Sequence, residues 1–162
     1  MASTSIDSNY FCDLYSSESM RNIFSDISRF ESWLEVEVAL SKSLMINGFY
    51  PEKIHSEIQK SARIENLDLH KMKEEYDRIG FPISPFVHQL ANSCNPEASK
   101  WIHWGATTQD VIDSGLVLQM KNALIIIEKD VKEIINLLRS IVKKNRSSIM
   151  IGRTFMQQAA PI

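Results

Sequence analysis

Residues 107–145 read TTQDVIDSGLVLQMKNALIIIEKDVKEIINLLRSIVKKN, and this stretch decides the fold. Val111, Gly115, Leu118, Ile125, Ile135, Leu138 and Val142 recur at helical spacing with no proline between them, so one helix of nearly forty residues is the simplest reading. A single helix here would be about 58 Å long at 1.5 Å per residue. A mean globular helix has only about three turns, so one this long implies a bundle or a coiled-coil-like partner, and hence an oligomer.

Upstream the helices are shorter and more irregular. Ser16 or Ser17 suits the cap of a helix whose apolar positions run from Met20 through Phe24, Ile27, Phe30 and Leu34 to Leu44, with Asn47-Gly48 as its end. Pro51 suits a first helical turn, behind which Ile54, Ile58 and Ala62 form a short amphipathic stripe. Asp68 is placed to cap a helix through Tyr76 and Ile79 that Gly80 stops. GFPISP, residues 80–85, reads as irregular because each proline removes a donor and restricts its predecessor, so a helix is expected only from Phe86 to Ser93. Asn95-Pro96 resembles a cap and first position of one more short turn. With no strand alternation or repeat in evidence, the expected class is all-α. The expected division is an N-terminal helical domain over residues 1–105 and the first part of a central long-helix bundle over 106–162.

Composition narrows the function classes. The chain has 162 residues, 44% hydrophobic and 23% charged, with a formal net charge of -2. That is the make-up of a globular domain large enough to bury a core. No long uncharged apolar run is present and the start lacks the pattern of a secretion signal, so no membrane partner and a cytoplasmic location are expected. Clustered Lys and Arg occur only in RSIVKKNR, residues 139–146, at the end of the long helix where cations complement its dipole. No nucleic-acid partner is expected. Cys12 and Cys94 are far apart and read as reduced thiols, and His55, His70, His88 and His103 offer no pair at ligand spacing. Neither a metal nor an organic cofactor is implied.

The chemistry collects just before the long helix, in WIHWGATTQD, residues 101–110. Gly105 breaks the chain, and Thr107 and Thr108 fall where the helix begins, so their hydroxyls meet the free amides of the first turn. Two readings fit. Such a corner binds carboxylate or phosphate; equally, a threonine here is an ordinary N-cap and Asp110 a first-turn acid. His103 reads either as a hydrogen-bonded structural residue or as a site histidine, and Trp101 and Trp104 as packing or as stacking platforms.

The order of these residues resembles a known family. KWIHWGATTQDVIDSGLVLQMKNAL, residues 100–124, and GRTFMQQAAPI, residues 152–162, are similar to the first two conserved regions of the fumarase/aspartase superfamily. SESMRNIFSDISRFESWLEVEVAL, residues 17–40, resembles the N-terminal helix shared by adenylosuccinate lyases and 3-carboxy-cis,cis-muconate cycloisomerases. The resemblance implies a homotetramer around a long-helix bundle, with each active site built from three subunits. It implies making or breaking a bond beta to a carboxylate of a small polycarboxylate, through a carbanion-like aci-carboxylate. By position, Thr107, Thr108 and Gln109 would bind a substrate carboxylate, with Asp110 as an orienting group. His103 and Gln157 would contact substrate, and Arg153 and Thr154 would shape the turn of the second region.

Three departures within the resemblance favour the cycloisomerase branch. Phe155 stands where adenylosuccinate, argininosuccinate and fumarase-type lyases carry a histidine and where the cycloisomerases carry an aromatic tryptophan. FPISP replaces an Arg-His-Asp run, and Leu14 replaces a nucleotide-phosphate arginine. Gln158, against this, stands where the cycloisomerases have histidine. The family's general-base serine lies on a loop of a third region that these residues do not include, so the expectation is the N-terminal portion of an enzyme, inactive by itself. The alternatives are an adenylosuccinate lyase-like enzyme and a non-catalytic helical interaction or oligomerisation module.

Overall fold

Short polar side chains set where the helices begin in the computed structural model, which describes residues 4–162. Helices α1 (Cys12–Tyr15) and α2 (Glu18–Ile23) precede α3 (Asp26–Ile46). Ser17 Oγ accepts from the Met20 amide at 3.3 Å and opens α2. The continuous helix expected from Ser17 to Leu44 is instead two helices, because Ser25 interrupts it. Ser25 Oγ donates to the Asn22 carbonyl at 2.8 Å and accepts from the Ser28 amide at 3.2 Å, closing α2 and opening α3 with one hydroxyl. Serine competes with the helical ladder in this way, and apolar spacing alone does not register the break.

Helix α4 (Glu52–Ser61) follows Pro51 and buries Ile54 and Ile58. Helix α5 (Leu69–Ile79) is capped by Asp68, which accepts from the Lys71 amide at 3.1 Å, and ends at Gly80, whose φ of +70° lets its amide reach the Tyr76 carbonyl at 2.7 Å. Helix α6 runs Ile83–Ser93, three residues longer at its start than expected. Pro85 sits in the first turn, where the amides have no partner in the helix, so its missing donor costs no ladder bond. Asn95 Oδ1 then accepts from the amides of Glu97 and Ala98 at 3.1 and 2.9 Å. A 3-10 turn over Ser99–Trp101 leads to α7, Thr108–Lys144, which spans 37 residues.

The compact units are Met1–Ala123 and Leu124–Ile162. In the first, Trp33 packs edge-on to Phe30 and Phe86, with ring centroids 5.2 and 5.5 Å apart. Phe86, Leu90 and Val111 are fully buried around it. Helix α7 enters this core through Val111, Gly115, Gln119 and Ala123, one residue per turn on one face. Gly115 is required there, since a Cβ would stand 2.5 Å from Trp33 Cδ1. Gln119 Nε2 donates to the Ile23 carbonyl at 2.7 Å, taking up an acceptor that the break after α2 releases. A second buried polar group joins Tyr50, Ser41 and His55. The Tyr50 hydroxyl donates to the Ser41 carbonyl at 2.7 Å, and Ser41 Oγ lies 3.1 Å from His55 Nδ1. Burial pushes the Tyr50 hydroxyl above its ordinary pKa, against the opposing effect of Ser41.

In the second unit the all-α class meets its exception. Strands β1 (Ile151–Thr154) and β2 (Gln157–Pro161) pair antiparallel, with Thr154 opposite Gln157 and a bulge between Gly152 and Arg153. The two-residue turn has positive φ at both Phe155 (+44°) and Met156 (+62°). This hairpin was not expected, because its turn carries two bulky residues in place of the Asn-Gly or Asp-Gly that announces one. No helix of the described residues is long and apolar enough to cross a membrane.

Candidate functional site

Two left-handed residues shape the corner before α7. His103 has φ +59° and Gly105 φ +81°, and between them the chain leaves the 3-10 turn and turns into the long helix. Glycine adopts that conformation freely, whereas histidine does so at a cost. Trp101 and Trp104 back the corner in an aromatic series. Their centroids are 5.4 Å apart, with Tyr50 4.9 Å from Trp101 and Phe49 5.1 Å from Trp104. Of the two readings for these tryptophans, packing is what the geometry displays.

His103 is held from α3. Its backbone amide donates to Glu37 Oε2 at 2.9 Å, and its Nδ1 lies 2.6 Å from Glu37 Oε1. The Glu37 side chain is only 1% exposed, that of His103 18%. Among the described residues His103 Nε2 has no hydrogen-bond partner, and it is not a buried orphan, so it is open to solvent.

At the start of α7, Asp110 Oδ2 accepts from the Thr107 amide at 2.9 Å and the Asp110 amide donates to the Thr107 carbonyl at 3.1 Å. The acid therefore satisfies one of the free amides of the helix end. Gln109 Nε2 donates to Asp113 Oδ1 at 2.6 Å. Among the described residues neither the Thr107 nor the Thr108 hydroxyl bonds within the chain, although Ser17, Ser25 and Asp68 all cap their helices through side chains. Donors left unused among the described residues at the positive end of a helix, four and five residues on from His103, are suited to a carboxylate.

His103, Thr107, Thr108, Gln109 and Asp110 thus share one corner of the first unit. Arg153, Thr154, Phe155 and Gln157 share the hairpin of the second. Arg153 and Thr154 lie on β1, Gln157 opens β2, and Phe155 at the turn is 96% exposed. Glu37 is the residue of this region that sequence reasoning missed. Its signal was an acid in the buried row Trp33, Glu37, Ser41 and Leu44 of α3, a position that requires a partner for the charge. Among the described residues no group of three or more His, Cys, Asp or Glu side chains is gathered as for a metal.

The sequence pattern of the lyase family matches residues 15–162. The chain is 34% identical to 3-carboxy-cis,cis-muconate cycloisomerase of Pseudomonas putida, over 95% of this chain and 37% of that protein. It is 35% identical to adenylosuccinate lyase of Pyrococcus abyssi, over 91% of this chain and 32% of that protein. The crystal structure of beta-carboxy-cis,cis-muconate cycloisomerase from Acinetobacter calcoaceticus superposes with a TM-score of 0.89 at 31% identity, covering 95% of this chain and 37% of that one. The chain therefore spans about a third of the length of the relatives it matches. On the family pattern and the shared helical architecture together, the chain belongs to the lyase family of fumarase/aspartase-type enzymes.

Proposed function

We propose that the full-length protein is a cycloisomerase or lyase of small polycarboxylates, of the 3-carboxy-cis,cis-muconate cycloisomerase type, working by beta-elimination or its reverse. The observation that carries this reading is the pair of Thr107 and Thr108 hydroxyls at the start of α7, which make no hydrogen bond among the described residues. Removing a proton from carbon next to a carboxylate pushes the electron pair onto that carboxylate, and the leaving group departs from the adjacent carbon. Donors fixed beforehand around the carboxylate stabilise the charge as it grows. Thr107, Thr108 and Gln109 take that role, Asp110 holds the Thr107 amide in place, and His103 contacts substrate through Nε2. In the second conserved region Gln157 is a substrate contact, Arg153 and Thr154 shape the turn, and Phe155 is an aromatic wall, in active sites each built from three subunits. A serine outside these residues is the general base.

Self-association as a homotetramer and a cytoplasmic location accompany this reading. The apolar positions of α7 beyond Ala123 support association, since exposed rows of that size mark interfaces. An adenylosuccinate lyase-like activity is the second reading, favoured by the 35% identity to the Pyrococcus enzyme. Phe155 and Leu14 speak against it: a phenyl ring moves no proton and leucine binds no phosphate. The test is a screen of the full-length protein against carboxymuconate, adenylosuccinate, argininosuccinate and fumarate, following conjugated absorbance. Turnover of the muconate-type substrate is expected. Efficient adenylosuccinate cleavage would overturn the branch, and turnover of none would favour a non-catalytic helical interaction module.

A further inference from the structure

We infer that Glu37 is a positioning residue for the reaction: it fixes the imidazole of His103 with hydrogen on Nδ1, so that Nε2 presents its lone pair to the site. This rests on the proposed role of His103 at the substrate.

The geometry leaves one assignment. Both Glu37 oxygens are committed to residue 103, Oε2 to the backbone amide at 2.9 Å and Oε1 to the ring at 2.6 Å. An ionised carboxylate only accepts, so Nδ1 must donate and the neutral ring keeps its lone pair on Nε2. The next polar residue along the buried row, Ser41, is already engaged by Tyr50 and His55, and among the described residues Glu37 has no partner besides His103. A carboxylate with a 1% exposed side chain is costly to desolvate, and two short charge-assisted bonds are what offset that cost. The backbone bond also holds His103 at φ +59°, a conformation that non-glycine residues rarely adopt. If Glu37 served only that backbone amide, a neutral acceptor would do as well. The second oxygen on the ring is what a scaffold role leaves unexplained.

Glu37→Gln separates the two roles. The backbone amide of residue 103 can only donate, so the glutamine oxygen must face it and the glutamine NH2 must face the ring. Nδ1 then has to accept, and the hydrogen moves to Nε2. Carboxylates that orient a metal-bound histidine in this way matter by about 10- to 100-fold, and an effect of that order is expected here. The experiment uses the full-length protein with 15N-labelled histidine, read by magic-angle-spinning spectra with the ring neutral, His103 being identified by the signal lost in His103→Asn. Hydrogen on Nδ1 is expected in the wild type, on Nε2 in Glu37→Gln, and on Nδ1 again in Glu37→Asp. Turnover is expected to fall about 10- to 100-fold in Glu37→Gln and to return partly in Glu37→Asp. Hydrogen on Nε2 in the wild type would overturn the inference without any variant having to fold. An unchanged tautomer in folded Glu37→Gln, or a moved tautomer with full turnover, would overturn it too. A tautomer that moves in a protein turning over no polycarboxylate would support the positioning and refute the proposed reaction.

Discussion

One row of side chains runs along α7 at a spacing of four and has two environments. Val111, Gly115, Gln119 and Ala123 are buried in the first unit. The row continues in the second as Ile127, Val131 and Ile135, each step of four turning about 40° further round the helix, and these are 47%, 47% and 41% exposed. No residue from Leu124 to Ile162 is buried. The difference teaches that apolar spacing specifies a helix and its apolar rows without specifying what covers them. In the first unit the cover is α3, close enough that position 115 must be glycine; in the second the row is exposed.

The largest expected effect tests what the first unit does with the donors it leaves over. In the full-length enzyme, Thr107→Val with Thr108→Val keeps the side-chain shape and removes both hydroxyls, so turnover should fall about a hundredfold or more, as on losing oxyanion donors. Thermal stability should hardly move, because neither hydroxyl bonds among the described residues. Retained turnover with lost stability would make the threonines ordinary caps. Next in size is the close approach of α7 to α3. Gly115→Ala places a methyl 2.5 Å from Trp33 Cδ1 and should cost about 1–3 kcal/mol of stability, the range for overpacking, read from urea unfolding followed by tryptophan fluorescence. Ile134→Ala, at a site 54% exposed in the second unit, should change the stability of the same chain by no more than about 0.5 kcal/mol. Equal costs at both sites would erase the contrast between the units.

Much of the first unit was legible in the residues, and what escaped has specific causes. Asp68 and Gly80 bound α5 as their chemistry dictates, and Asn95 caps its turn. The long helix was visible as unbroken periodicity and spans Thr108–Lys144. The break at Ser25 was hidden because apolar spacing runs through it, and a cap inside an apolar stripe registers only in hydrogen bonds. Pro85 delayed the expected start of α6 because a proline in a first turn looks locally like one in a loop. The hairpin gave no period-2 signal, its turn being Phe155-Met156. At the site, His103 and Thr107–Asp110 were recognisable as a motif, whereas Glu37 lies 66 residues from its partner, a separation that no local pattern spans.

The exposed row on α7 also bears on association. The 162-residue chain should self-associate, and lysine at Ile127, Val131 and Ile135 together should weaken that association at least about tenfold, since charge on an interface row must be desolvated without a partner. Sedimentation equilibrium reads both. A monodisperse monomer of the unmodified chain at high concentration would show that the exposed row is not an interface.

The smallest expected effect sets a cap in the first unit against a surface pair in the second. The Lys71 backbone hydrogen bond, helped by the Lys71 side chain, holds the Asp68 carboxyl below its ordinary value of 3.8. A carboxylate whose folded pKa is depressed adds stability that is present above the unfolded value and is lost as pH falls from about 3.8 through the folded value. Asp68→Asn retains an acceptor for the cap but not the charge, so it should lower the thermal midpoint slightly at pH 7, by roughly a few degrees at most. Its difference from the wild type should vanish once pH has fallen below the lowered folded pKa. Glu128 pairs with Lys132 across one turn of α7 at 2.5 Å with both side chains well exposed, and solvent screens such pairs. Glu128→Gln should therefore shift the midpoint less than Asp68→Asn at pH 7. A larger shift from Glu128→Gln would mean that the second unit draws more on its surface charges than the first draws on its caps.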